Sequence, residues 1–112
     1  MQDLDSRLLL AISAENDRVQ AFPRCWVKSE TPQERAARNR AIRLIDEFGV
    51  RVQSDWLGSA PSQRKALFRS LSHIEAAGLV EVFAAGRVRF VKLSVSGWEA
   101  VELQKKENAT NE

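Results

Sequence analysis

A mainly helical α+β fold is what this sequence predicts, and three observations predict it. Leu67, Leu71 and Ile74 stand at i, i+4 and i+7, which makes one apolar stripe on a helix. Leu79 to Phe83 and Val88 to Leu93 are rich in Val and Phe, and the turn-sized stretch between them holds Gly86, so they read as a hairpin. At 112 residues, with 44% hydrophobic and 29% charged residues, the chain has the size and balance of one globular domain that buries its own core.

The expected domain covers residues 1–106, with 1–30 a helix and loop, 31–93 the core, 94–106 a last helix, and 107–112 a solvated tail. Leu4, Leu8, Ala11, Ile12 and Val19 keep helical spacing over about residues 3 to 20. Leu9 and Leu10 widen that face beyond what one side of a small domain needs. Burial on two sides within the chain and a homodimer contact both account for it. Pro23 breaks the helix, and Phe22, Trp26 and Val27 call for burial, so residues 20–30 read as a loop packed on the core. A ligand pocket lined by Trp26 is the other reading.

Thr31, Pro32 and Glu34 make a helix start: Thr31 caps, Pro32 fits the first helical position, and Glu34 can reach back to the cap's amide. Ala37, Ala41, Leu44, Ile45 and Phe48 then form the apolar stripe, and Gly49 ends it. Arg35, Arg38, Arg40 and Arg43 fall on the other faces, either as solvated charges or as phosphate contacts. Val50 to Val52 suit a short third strand, and Ser54 to Gly58 offer one helical turn with Trp56 and Leu57 buried. Ser59 or Ser62 is the expected cap of the helix over 62–77. At ~100° per residue, Lys65, Arg69 and Ser72 lie opposite its apolar stripe. Gly78 sits just past its end, where φ > 0 is wanted. After the hairpin, Ser94 can cap a helix from Val95 to about Lys106, with Trp98 and Val101 facing inward.

The net charge of +2 says little, but its distribution says more. Residues 62–92 hold Arg64, Lys65, Arg69, Arg87, Arg89 and Lys92 against only Glu75 and Glu81. A local basic surface of this kind concentrates a polyanion beside it. The single cysteine, Cys25, forms no internal disulfide, and no Cys/His spacing fits a zinc site. The longest apolar run, Leu8 to Ile12, is too short to span a bilayer, and the start lacks the pattern of a secretion signal. A cytoplasmic protein without metal or cofactor is expected. No glycine-rich phosphate loop and no assembled nucleophile set appears, so an enzyme is not expected.

A positive helix followed by a hairpin with Arg87 and Arg89 near its tip has the outline of a winged helix-turn-helix. The run FRSLSHIEAAGLVEVF resembles that family's recognition helix and its exit. The run VKLSVSGWEAVEL is similar to the segment after the wing in MarR-like and PadR-like regulators. Residues 54–104 carry the resemblance. SDWLG is shorter than the family's second helix, which is either reduced to one turn or replaced in space by residues 31–48.

The resemblance implies double-stranded DNA as partner, with helix 62–77 in the major groove and wing 79–93 on the backbone. The groove is wide enough for an α-helix. With Ser62 at the helix start, Gln63, Lys65, Arg69 and Ser72 are the candidates for base edges. Arg69 matches the family's Arg before a core Leu. Arg64 and His73 flank the helix and are expected at phosphates, while Arg87 and Arg89 would reach phosphates or a minor groove. Phe68 reads as a boundary packing residue, and Trp26, Trp56 and Trp98 as core. The expected function is that of a small sequence-specific transcriptional regulator, acting as a homodimer that reads two half-sites. The alternative is a winged-helix adaptor in a replication, partition or other multi-protein complex.

Overall fold

A computed structural model describes residues 3–22 and 28–110. The elements run α1 (Leu4–Gln20), α2 (Pro32–Phe48), β1 (Val50–Arg51), α3 (Pro61–Ala76), β2 (Val80–Ala85), β3 (Val88–Leu93) and α4 (Val95–Thr110). The fold is therefore α+β and mostly helical. The expectations for Pro23, Cys25, Trp26 and Val27, including the pocket at Trp26, lie outside the described residues.

Helix α1 begins at Asp3, whose carboxylate accepts the Ser6 amide at 2.7 Å. That bond holds the Asp3 carboxyl below its usual range. Leu8, Leu9, Ile12 and Val19 are all buried. They are covered from within the chain, because α1 touches α2, α3, α4, β1 and β3. The residues that the sequence offered for a dimer contact are thus used by the domain itself. Leu4 alone of that stripe remains 42% exposed.

Helix α2 starts on Thr31, which accepts the Glu34 amide at 3.1 Å. Glu34 answers by accepting the Thr31 hydroxyl at 3.0 Å, in place of the expected bond to the cap's amide. The stripe also needs a correction at its start: Ala37 is exposed, and its neighbour Arg38 is buried.

The sheet is antiparallel throughout, in the order β1-β3-β2. Val91 at its centre is fully buried and pairs with Val50 on one side and Val82 on the other. The hairpin turn is tighter than expected, because Ala85 pairs with Val88 and leaves only Gly86 and Arg87 between them. Gly86 has φ +64° and Arg87 a negative φ, the order of signs that a II′ hairpin requires.

Between β1 and α3 the chain makes one turn, with the Gly58 amide donating to Asp55 at 3.0 Å. Leu57 is buried and Trp56 packs half-buried on the core. Helix α3 then buries Leu67, Leu71 and Ile74, as their spacing predicts. Its start differs from expectation. Pro61 takes the first position and Ala60 precedes it, so neither Ser59 nor Ser62 caps. At its far end Leu79 donates to Ile74 and Gly78 to Glu75, both at 3.0 Å, the paired bonds of a Schellman stop.

Ser94 joins three elements. Its hydroxyl accepts the Gly97 amide at 3.1 Å, capping α4, and donates to the Gly78 carbonyl at 2.7 Å. The last helix runs on through Thr110, so the expected tail from residue 107 is helical instead. Val101 is fully buried. Gly97 lies so close to the start of the hairpin that a Cβ there would stand 2.0 Å from the Leu79 carbonyl oxygen. The obstacle is backbone and cannot rotate away. Gly97→Ala is therefore expected to destabilise the chain by about 1–3 kcal/mol or more, read as a lower denaturant midpoint with an unchanged slope.

Candidate functional site

The outward surface of α3 is built by its periodicity. Burying Leu67, Leu71 and Ile74 points Ser62, Lys65, Arg69 and Ser72 the other way, and all four are exposed. No carboxylate belongs to this stripe. Its one acidic neighbour on the helix, Glu75, falls roughly 100° or more away from Arg69 around the axis.

Gln63 does not join them. It stands on the side of the helix that carries Leu67 and Ile74, exposed at the first turn, and its Oε1 accepts the Ala60 amide at 3.1 Å. It replaces the serine cap expected there, since Ala60 has no polar side chain. A bidentate bond to adenine needs both the oxygen and the nitrogen of the amide, and the oxygen is already used. Gln63 is thus a capping residue rather than a base reader.

His73 is engaged within the domain at one ring nitrogen. Its Nδ1 lies 2.6 Å from Oδ2 of Asp5 on α1, and the other carboxylate oxygen accepts the hydroxyl of buried Ser70. The His73 side chain is still 77% exposed, and its second ring nitrogen, Nε2, is left to meet a phosphate. Asp5 is therefore a clasp between α1 and α3 rather than a helix-end charge alone. Nothing in the sequence joins positions 65 and more residues apart, so this pair was beyond periodicity to find. Arg64 is exposed.

The hairpin lies beside α3. Arg87 occupies the turn and Arg89 extends its guanidinium over the Phe68 ring, 5.1 Å from the centroid. Phe68 is 37% exposed, a boundary residue as expected. From the other side, Phe48 of α2 packs edge-on against Phe83, with ring centroids 5.3 Å apart. Lys92, counted with the basic surface, donates to the Asp46 carbonyl at 2.7 Å and so ties β3 to the end of α2.

Of the arginines of α2, Arg38 is neither solvated nor free for phosphate. Its guanidinium donates two bonds to Glu30, at 2.7 and 2.9 Å, with both side chains 9% exposed. Among the described residues no group of three His, Cys, Asp or Glu side chains could hold a metal. No helix among them is long and apolar enough to cross a membrane. No protein-family model, curated protein or solved structure matches the chain.

The Arg38 guanidinium holds the Glu30 carboxyl below its ordinary 4.5. A depressed carboxyl stabilises the folded chain above the unfolded value and loses that contribution as pH falls through the folded one. Glu30→Gln should therefore unfold earlier than the unaltered chain at neutral pH. The gap between their denaturant midpoints should close as the pH is taken well below 4.5.

Proposed function

We propose that this chain is a winged helix-turn-helix protein that binds double-stranded DNA sequence-specifically, as a small transcriptional regulator. The observation that carries the reading is the exposed, acid-free stripe Ser62, Lys65, Arg69 and Ser72 with an arginine-bearing hairpin folded beside it. The element order supports it: a helix, a short strand, one turn, a helix and a hairpin, with the short strand paired to the far arm of the hairpin. The turn at residues 54–57 stands for the shortened second helix, while α2 packs on α1, β1 and β3.

In this arrangement α3 lies in the major groove. Lys65 and Arg69 meet base edges, with Arg–guanine the commonest specific pair. Arg64, the turn Arg87 and the strand Arg89 meet phosphates, which carry position and most of the salt-dependent affinity. Gln63 leaves the base-contact set that the sequence suggested for it, while His73 keeps its place at the phosphates through Nε2.

A second reading has one observation in its favour. On α4, Val95 is 78% exposed and Leu103 60%, with half-buried Trp98 between them. An apolar strip on a charged helix suits a protein contact. It would serve an adaptor in a larger complex, or the homodimer whose contact α1 does not supply. Retention on random duplex at low salt, released near physiological salt, favours the regulator; no retention favours the adaptor.

Three variants test the assignment by titration against a duplex selected from a random library. Arg69→Ala should lose about 1–3 kcal/mol at the preferred site and relax one base position. Arg87→Ala should weaken all sequences alike and shallow the salt slope by about one unit. Gln63→Ala should lower the unfolding midpoint yet keep the base preference. Unchanged binding in Arg69→Ala would sink the groove assignment.

A further inference from the structure

The pleat gives the sheet two faces, and the register sorts the side chains between them. Val80, Val82, Val91 and Leu93 share the core face with Arg89, whose guanidinium reaches the Phe68 ring of α3. Phe83, Ala85, Val88, Phe90 and, across from Phe90, Arg51 share the other. On that second face Phe48 of α2 packs on Phe83 and Phe90, with ring centroids 5.3 and 6.3 Å away. The next rung toward the tip, Ala85 and Val88, opens instead onto a groove of about 480 Å³ between the sheet, α2 and the end of α1.

The floor of this groove is apolar and incompletely covered. Ala41, Leu44, Val88 and Phe90 line it and are only half-buried. Its walls carry charge. Arg40 stands on α2 and Arg51 on β1, both exposed, and neither has a carboxylate partner among the described residues. Glu15 is the one acid in the lining, and both of its oxygens accept from Arg18. The groove therefore pairs an uncovered apolar surface with two guanidinium groups that nothing neutralises. Along α2 it runs from Ala37 to Leu44, roughly 10 Å at the helical rise, the reach of about three extended residues.

We propose that this groove docks an acidic peptide segment of a partner protein. One bulky apolar side chain of that segment lies against Leu44, Val88 and Phe90, and carboxylates on either side of it meet Arg40 and Arg51. The complementarity is double. Guanidinium forks pair with carboxylate oxygens, and the floor withdraws an apolar side chain from water. A nucleic-acid duplex matches only the first half, because it presents phosphates outward and keeps its bases stacked inside. The site stands apart from the duplex-binding reading, since it lies on the face of the sheet away from Phe68 and α3.

The test is selection of displayed random dodecapeptides on the full chain, followed by titration of one enriched synthetic peptide. Enriched sequences should place a bulky apolar residue between Asp or Glu residues. Arg40→Ala and Arg51→Ala should each weaken the peptide about two- to five-fold, the size of an exposed ion pair. Ala37→Trp, a change at an exposed position of the wall, should block the groove and abolish binding. With Arg40→Glu and Arg51→Glu together, the acidic peptide should be lost and its lysine-for-acid counterpart should bind in its place, which a merely misfolded variant would not do. Lys65→Ala and Arg69→Ala should leave the peptide's affinity unchanged. No enrichment, enriched peptides without acids, or binding undiminished by loss of both groove arginines overturns the proposal. So does a peptide that Arg69→Ala releases or that random duplex displaces, because the acids then sit on the α3 surface.

Discussion

Helix α1 has too much apolar surface for one neighbour, and that constraint organises the domain. Leu8 and Leu9 lie on different sides of it, and both are buried. Covering them takes three helices and two strands, which must therefore surround α1 rather than line up against it. The position of α3 follows. It packs on α1 through its apolar stripe, and Asp5 adds a polar fastening to Ser70 and His73. Once α3 is held on that side, its opposite side can only face solvent. The exposed cationic stripe is thus a by-product of how the core closes.

The cations of the chain divide by what they touch. Arg18 pairs with Glu15, Arg38 with Glu30, and Lys92 with the carbonyl at the end of α2. These hold elements together. Lys65, Arg69, Arg51 and Arg87 stay at the surface without such partners among the described residues. A small net charge is compatible with a locally strong field, because residues 62–92 hold only Glu75 and Glu81 and the other acids lie elsewhere in the chain. Arg89 stands between the two, borrowing a ring for orientation while its charge stays in solvent. Removing a cation of the first kind acts on folding; removing one of the second acts on encounter with an anion.

Much of the fold was legible because it rests on local chemistry. The α3 stripe, the Thr31 cap, the Gly78 stop and the hairpin around Gly86 each depend on residues within a few positions of one another. What was not legible depends on chain segments meeting. Gln63 reads as an ideal base-contacting side chain until Ala60 turns out to precede the helix without a capping group. His73 reads as a flank residue until Asp5 arrives from the other end of the chain. Arg38 belongs to the polar side of its helix by type, yet Glu30 folds back and buries it. At the candidate site the periodic positions, Lys65, Arg69 and Ser72, came from sequence. Phe68 did not, because its meeting with Arg89 depends on how the hairpin folds beside α3. Gly97 is an intermediate case: the glycine is plain, but the carbonyl that forbids a side chain there is known only from the packing.

The hairpin is fixed at its root and supported part of the way along. Ser94 ties its root to the end of α3, and β1 props the returning arm as far as Arg89. Only the last rung and the two-residue bend project beyond that prop. A cantilever with so short an overhang is stiff. The offset of Arg87 from α3 is thus set by the sheet. The spacing between helix and flap is then a ruler built into the scaffold.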